Sequence, residues 1–200
     1  MNKRIIGLTG GIATGKSTVA NYLASVANLP VFDADIYARD AVAVGSPILK
    51  AIAHRYGEEM LLPDGSLNRE KLGAIIFSQS DERLWIERLI HPDVLQRFQQ
   101  AIAQSSSPTL VLVIPLLFEA EMTDLVTEIW VVCCSESQQL QRLMQRNHLT
   151  KEQAQARIHS QLSLTEKAAR ANIVLDNSST LESLFKQIDV ALARNIEQLC

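Results

Sequence analysis

Gly10-Gly11-Ile12-Ala13-Thr14-Gly15-Lys16-Ser17 satisfies every fixed position of G-x-x-x-x-G-K-[ST], and four of the chain's eight glycines fall between Gly7 and Gly15. That spacing suits phosphate. Phosphate oxygens need many N–H donors at close range, and glycines let the backbone curl around them. A helix N-terminus adds partial positive charge. In such a loop Lys16 reaches the β- and γ-phosphates, and Ser17 ligates Mg²⁺. The expected nucleotide contacts are Gly11, Ile12, Ala13, Thr14, Gly15, Lys16, Ser17 and Thr18.

Three classes handle a γ-phosphate: a small-molecule kinase, a GTPase switch, and an ATPase with no acceptor. The chain has no N-K-x-D sequence to read guanine. Its apolar run Leu110 to Ile114 ends in Pro115, where a hydrolytic ATPase usually carries Asp or Asp-Glu. Both absences favour a kinase, which needs a carboxylate for the acceptor hydroxyl and extra positive charge for the transferring group. Asp33-Ala34-Asp35 closes a short apolar run, so Asp33 is the base candidate and Asp35 a second polar contact or a helper for Mg²⁺; alternatively, either caps the following helix. Arg142 and Arg146 share one helix face, with Arg157 and Arg170 further along the same helical stretch. They form either a lid that lowers guanidinium groups onto the phosphates and excludes water, or a solvated charged face. His91, before Pro92, is a ligand or a packing residue, and Glu119, after Pro115-Leu116-Leu117-Phe118, lies on the rim of the site or on the plain surface.

The elements needed to position these groups are visible in the pattern. Ile5 to Leu8, Pro30 to Phe32, Leu110 to Ile114, Ile129 to Cys134 and Ile173 to Leu175 are short apolar runs without period-two alternation, as in parallel strands covered on both faces. Helices are expected over Ser17 to Ala27, Glu136 to Asn147 after the cap Ser135, Lys151 to Ser163 after Thr150, and Leu181 to Leu199 after a capping box of Ser179 with Glu182. Alternating strands and helices imply a doubly wound α/β sheet of about five strands. Ile36 to Gln104 interrupts the alternation with several helices, two of them started by Pro47 and Pro92, and with a turn at Asp64-Gly65.

The chain has 200 residues, 47% of them hydrophobic, with a net charge of −3. It can bury a core without a metal or disulfide staple, and it has no global field to gather nucleic acid or an anionic membrane. No run approaches a membrane span, and the start lacks the features of a secretory signal. Three cysteines, two adjacent at Cys133 and Cys134, suit reduced thiols in the cytoplasm; neighbouring strand residues face opposite ways, which argues against a redox or metal pair.

Taken together, Leu8 to Ser17, Asp33-Ala34-Asp35 with Arg39, Ile90-His91-Pro92, Pro115 to Glu119, Gln141-Arg142 through Gln145-Arg146, and Asn172 to Asn177 resemble the dephospho-coenzyme A kinase family over nearly the whole chain. The resemblance implies a P-loop fold of a single domain, with a nucleotide core at 1–35, 106–135 and 171–200, an acceptor-binding helical lobe at 36–105, and a lid at 136–170. It implies transfer of the ATP γ-phosphate to the ribose 3′-hydroxyl of dephospho-coenzyme A, with ATP and Mg²⁺. The sequence does not give the oligomeric state, and a monomer is favoured. Carried over by position, Asp33 matches the base, Lys16 the phosphate lysine, and Arg146, with Arg142 as second choice, the lid arginine. Asp35, Arg39, His91 and Glu119 match positions lining the acceptor cleft, and Asp176-Asn177 a segment near the adenine. The loop departs mildly from the family where Ala13-Thr14 replace the commoner Gly-Ser. A kinase for another small acceptor, such as a nucleoside or nucleotide, remains the alternative.

Overall fold

The computed structural model describes residues 3–194. In chain order the elements are β1 (Arg4–Gly10), α1 (Lys16–Ser25), β2 (Val31–Asp33), α2 (Ala34–Ala41), α3 (Pro47–Tyr56), α4 (Arg69–Ser78), α5 (Ser80–Gln104), β3 (Thr109–Val113), β4 (Glu128–Cys133), α6 (Glu136–Asn147), α7 (Lys151–His159), α8 (Leu164–Ala169), β5 (Ile173–Asp176) and α9 (Leu181–Leu192). The chain divides into two compact units, the first up to Phe32 and from Gln104 onward, the second from Asp33 to Ala103.

The first unit is the sheet, ordered β2-β3-β1-β4-β5. β1 pairs in parallel with β3 and β4, and β4 with β5, so the glycine loop leaves the central strand. Ile6, Leu8, Val111, Val113, Trp130, Val132 and Leu175 pack with Val19 and Leu23 of α1 and Leu184 and Ile188 of α9. β1 is buried on both faces from Ile6 to Gly10, which is why its sequence shows no alternation. β5 departs from that expectation. As an edge strand it alternates, with Ile173 and Leu175 inward and Val174 46% exposed.

Arg4 ties the two ends of this unit together. Its guanidinium pairs with the buried Glu128 and donates to the carbonyls of Leu192 at 2.8 Å and Ala191 at 3.1 Å, covering the orphan carbonyls at the end of α9. Cys133 and Cys134 are free thiols, and burial pushes both up from the usual range. Among the described residues no helix is long and apolar enough to cross a membrane.

Beyond Asp33, the last residue of β2, the regular elements of the second unit are helices, with one isolated bridge between Leu61 and Leu67 across the expected Asp64-Gly65 turn. Its core is Val42, Leu49, Ile52, Met60, Leu67, Leu72 and Ile86. Tyr37 packs edge-on against the fully buried Phe98 at 5.1 Å between centroids. Arg55 forks onto Glu82 at 2.8 and 2.9 Å and lies over the Trp85 ring at 4.5 Å. With Tyr56 also donating to Glu82, that carboxyl is pulled down to about 2, and burial with the same contact lifts the Tyr56 hydroxyl to about 12.

Several sequence expectations are corrected. Pro47 does start α3 at its first turn, but Pro92 lies inside α5, which runs on through the position whose N–H it lacks. The helix expected over Lys151 to Ser163 stops at His159, because Ser163 begins a new helix with its own capping box to Glu166. Arg157 therefore lies on α7 and Arg170 just past the end of α8, as its C-cap, apart from Arg142 and Arg146 on α6. The last helix is capped by Thr180, one residue beyond the expected Ser179. It ends at Leu192, with Ala193 as its C-cap, short of the expected Leu199; the part of that expectation over 195–199 lies outside the described residues.

Candidate active site

The loop between β1 and α1 is shaped by three left-handed residues. Gly10 has φ 150°, Ala13 61° and Gly15 104°. Gly10 admits no side chain, since an added Cβ would stand 2.4 Å from the Val132 carbonyl of β4. At Gly15 it would meet the Asn177 carboxamide nitrogen at 2.1 Å. That nitrogen donates to Thr14 O at 2.8 Å, while the Asn177 N–H donates to Cys133 O at 2.8 Å. Arg142 then donates to Asn177 O at 3.0 Å, so α6, the end of β5 and the floor of the loop form one connected set.

The helix that follows is unusual within this chain. Side chains cap α2, α3, α4, α6, α7, α8 and α9. α1 starts at Gly15 with no side-chain cap and with no acidic residue in its first turn. A helix end left without its own oxygen acceptor is suited to an external one, and its dipole favours an anion. Lys16 leans over this end, its ammonium donating to Gly10 O at 3.0 Å and Gly11 O at 2.7 Å. Thr14 adds a buried hydrogen bond to Gly11 O at 3.0 Å.

Ser17 is exposed in the first turn of α1. Its hydroxyl is a hard oxygen donor of the kind Mg²⁺ accepts. Among the described residues no group of three or more His, Cys, Asp or Glu could hold a metal on its own. A single hydroxyl donor of this kind fits an ion whose other ligands are a nucleotide's phosphates and water.

Within the second unit, Asp33 closes β2 and caps α2, its Oδ1 accepting from Asp35 N–H at 2.8 Å. The cap reading of the acidic pair therefore holds for Asp33, and the cap uses one of its carboxylate oxygens. Asp35 and Arg39 are exposed and one turn apart on α2, and the Arg39 carbonyl accepts from Arg69 at 3.2 Å. His91 is half-buried in the middle of α5.

In the first unit, Arg146 is exposed near the end of α6 and donates to Asn147 at 2.9 Å. Glu119 has one oxygen engaged: Oε1 accepts from Lys167 Nζ at 2.9 Å and from Leu162 N–H at 3.0 Å. Arg170 is also committed, its guanidinium lying 4.2 Å above the Phe118 ring.

Three residues around the loop escaped sequence reasoning. Gln139 and Lys167 are buried, at 3% and 0% exposure, and Gln161 touches the loop backbone. All three read as polar faces of amphipathic helices. The one available signal is the Ser163-x-x-Glu166 box, which marks a corner near Gln161 and so brings a polar side chain off the helix surface.

A sequence model described as dephospho-CoA kinase matches residues 4–183. The chain is 77% identical over 192 residues to the dephospho-CoA kinase of Trichormus variabilis, covering 96% of this chain and 98% of that protein. It is 54% identical to the Synechocystis dephospho-CoA kinase over 187 residues, 93% of each chain. Among solved structures, a Thermus thermophilus protein superposes with a TM-score of 0.82 at 32% identity, covering 96% of this chain and 98% of that one. The Campylobacter jejuni dephospho-CoA kinase gives 0.71 at 23%, covering 99% and 100%, and shares the fold.

Proposed function

The chain belongs to the dephospho-CoA kinase family, and from that premise we propose how its residues divide the work. It is a kinase that uses ATP to phosphorylate dephospho-CoA, the last step of coenzyme A synthesis. The acceptor atom in our reading is the ribose 3′-hydroxyl. The observation that carries the nucleotide half is the uncapped start of α1, roofed by Lys16 and closed by a left-handed Gly15.

The triphosphate lies along the loop backbone from Gly11 to Thr18, with Asn177 supporting the floor beneath Gly15. Lys16 exchanges the two carbonyls it now holds for β- and γ-phosphate oxygens. That exchange replaces neutral acceptors by charged ones, adding an attraction between opposite charges to bonds that the ammonium already strengthens. Ser17 would hold Mg²⁺ together with the phosphates, and the ion supplies charge neutralisation when bound.

Asp33 orients the acceptor hydroxyl and takes its proton as the new O–P bond forms and the bond from the γ-phosphorus to the β,γ-bridging oxygen breaks, ADP being the leaving group. Its cap bond favours this role, because a carboxylate with one oxygen fixed by Asp35 N–H has its second oxygen held in a defined direction. Asp35, Arg39 and His91 of the second unit are given the role of acceptor contacts in this reading, and so, on the first unit, is Glu119 through its second carboxylate oxygen. Arg146 is exposed and donates to its neighbour Asn147, which suits a group that moves onto the phosphates. Arg142, held by Asn177 O, is better suited to fixing the loop floor. Excluding water while the arginine is in place sends the phosphoryl group to the acceptor and not to solvent.

Acceptor dependence tests this reading. ADP release should require dephospho-CoA, with AMP, CMP, adenosine and no acceptor giving background rates. Equal ADP release without an acceptor would make the protein an ATPase, and release with another acceptor alone would make it a different kinase.

A further inference from the structure

Ile12 sits in the middle of the glycine loop and is held on both sides by carboxamides. Its N–H donates to Gln161 Oε1 at 3.0 Å, and its C=O accepts from Gln139 Nε2 at 2.9 Å. Gln139 is buried on α6 and lies against the loop, since a Cβ added to Gly11 would stand 2.5 Å from its Nε2. Gln161 lies in the corner between α7 and α8. One residue on, that corner is pinned by Leu162 N–H to Glu119, and Glu119 is held by the fully buried Lys167, which also donates to Pro115 O at 3.1 Å.

These bonds fix two consecutive peptide units. In a trans peptide the C=O and N–H point in opposite directions. Holding the Ile12 N–H on Gln161 directs Gly11 O the other way, to Lys16 Nζ and Thr14 Oγ1, where it is found. Holding the Ile12 C=O on Gln139 likewise aims the Ala13 N–H away from α6. The second unit is held against a conformational preference, because Ala13 is left-handed at φ 61°, a region an alanine leaves readily. A flip of the 12–13 peptide would return Ala13 to ordinary φ and turn the Ile12 carbonyl to the side where the Ala13 N–H had pointed. A carbonyl oxygen there repels phosphate oxygens that the N–H would have bound.

We propose that Gln139 and Gln161 are positioning residues for ATP: they clamp Ile12 so that the Ala13 N–H stays available to the triphosphate. The proposal rests on the reading of this loop as the ATP cradle. It also accounts for how the chain tolerates alanine at a left-handed position, since the clamp supplies what a glycine would supply by itself.

The test is the binding of ATP by isothermal titration, beside the KM of each substrate, for wild type, Gln139→Met, Gln161→Met, Ala13→Gly and the two Gln→Met/Ala13→Gly doubles. Methionine keeps the length of glutamine and loses its polar atoms. Gln139→Met should weaken ATP binding by about tenfold, and Gln161→Met by about threefold, as expected for losing one partner of a buried polar group. The KM for dephospho-CoA should stay within about twofold. Ala13→Gly should restore most of the loss in each double, because glycine has no strain to relieve by flipping. A role in packing alone would not be rescued this way. Should Gln139→Met fail to fold, Gln161→Met and its double carry the same comparison on the half-exposed corner. The clamp is overturned if ATP binding changes less than twofold in the folded single variants, if both substrates' KM values rise together, or if Ala13→Gly rescues nothing. Wild-type transfer to dephospho-CoA is measured first. Its absence would overturn the family reading, whereas the ATP titrations judge the clamp separately.

Discussion

Replacing Asp33 by asparagine separates its observed role as a helix cap from its proposed role as the base. Asparagine keeps an oxygen for the Asp35 N–H now bound at 2.8 Å, and as an N-cap it ranks with aspartate. What the folded state loses is charge at the start of α2, worth roughly 0.3–1 kcal/mol, and Asp35 still supplies an acidic first turn. At about 2–4 °C per kcal/mol for a chain of this size, the melting temperature should fall by no more than about 4 °C. Catalysis loses the proton acceptor, an effect of about 10²–10⁴-fold. Even the lower bound corresponds to about 2.7 kcal/mol on the barrier, beyond what the cap or the helix charge supplies. Asp33→Ala removes acceptor and cap together, adding about 1 kcal/mol of instability to the same catalytic loss. The assay is dephospho-CoA-dependent ADP release at saturating substrates, with ATP binding and thermal melting measured on the same preparations. Turnover of Asp33→Asn near wild type would refute the base assignment. Loss in Asp33→Ala but not in Asp33→Asn would make the residue a helix cap and nothing more.

Lys16→Ala should lower kcat/KM for ATP by about 10²–10³-fold, comparable to removing one preorganised donor to developing charge, and steady-state kinetics at varied ATP checks it. Arg146→Ala should lower turnover while leaving the melting temperature unchanged, since the side chain is exposed. Arg142→Ala should cost about 1 kcal/mol of stability, some 2–4 °C, by releasing the buried Asn177, with the smaller effect on turnover; the opposite pattern would exchange their roles. In the helical unit, Arg55 and Tyr56 lower Glu82 from 4.5 to about 2. A carboxyl depressed on folding stabilises the folded state above its unfolded pKa, and that contribution fades as pH falls from about 4.5 through about 2. Melting curves across that window should therefore fall more steeply for wild type than for Glu82→Gln, and parallel curves would contradict the assignment.

Much of the core was legible because it obeys local rules. The five strands are short apolar runs, and the loop's spacing names its own chemistry, so the position of Lys16 at the head of α1 follows from eight residues. Ser135 and Thr150 could be read as caps for the same reason. Legibility failed where two local signals competed or where contact decided. The capping box expected of Ser179 with Glu182 gives way to Thr180, one residue on, whose hydroxyl accepts from Ser183 N–H at 3.2 Å. Pro92 reads as a helix start, yet α5 passes through it, with Val94 and Phe98 beyond it buried. Residues 160–163 read as continuous helix until the Ser163 box is weighed, and that corner is what brings Gln161 to the loop. No rule of spacing gives the burial of Lys167 or Gln139, because their partners Glu119 and Ile12 are distant in sequence. Ala13 is similar. Its departure from glycine is visible in the sequence, but its left-handed φ and the carboxamide that holds the adjoining peptide are visible only in the fold.

The most direct test of the central claim is to incubate the wild-type protein with ATP, Mg²⁺ and dephospho-CoA and determine the product by mass spectrometry and phosphorus NMR. The account predicts one added phosphoryl group, bonded to the ribose 3′-oxygen, in equal amount to the ADP formed. An unmodified acceptor beside accumulating ADP, or a phosphoryl group on any other oxygen, would contradict it.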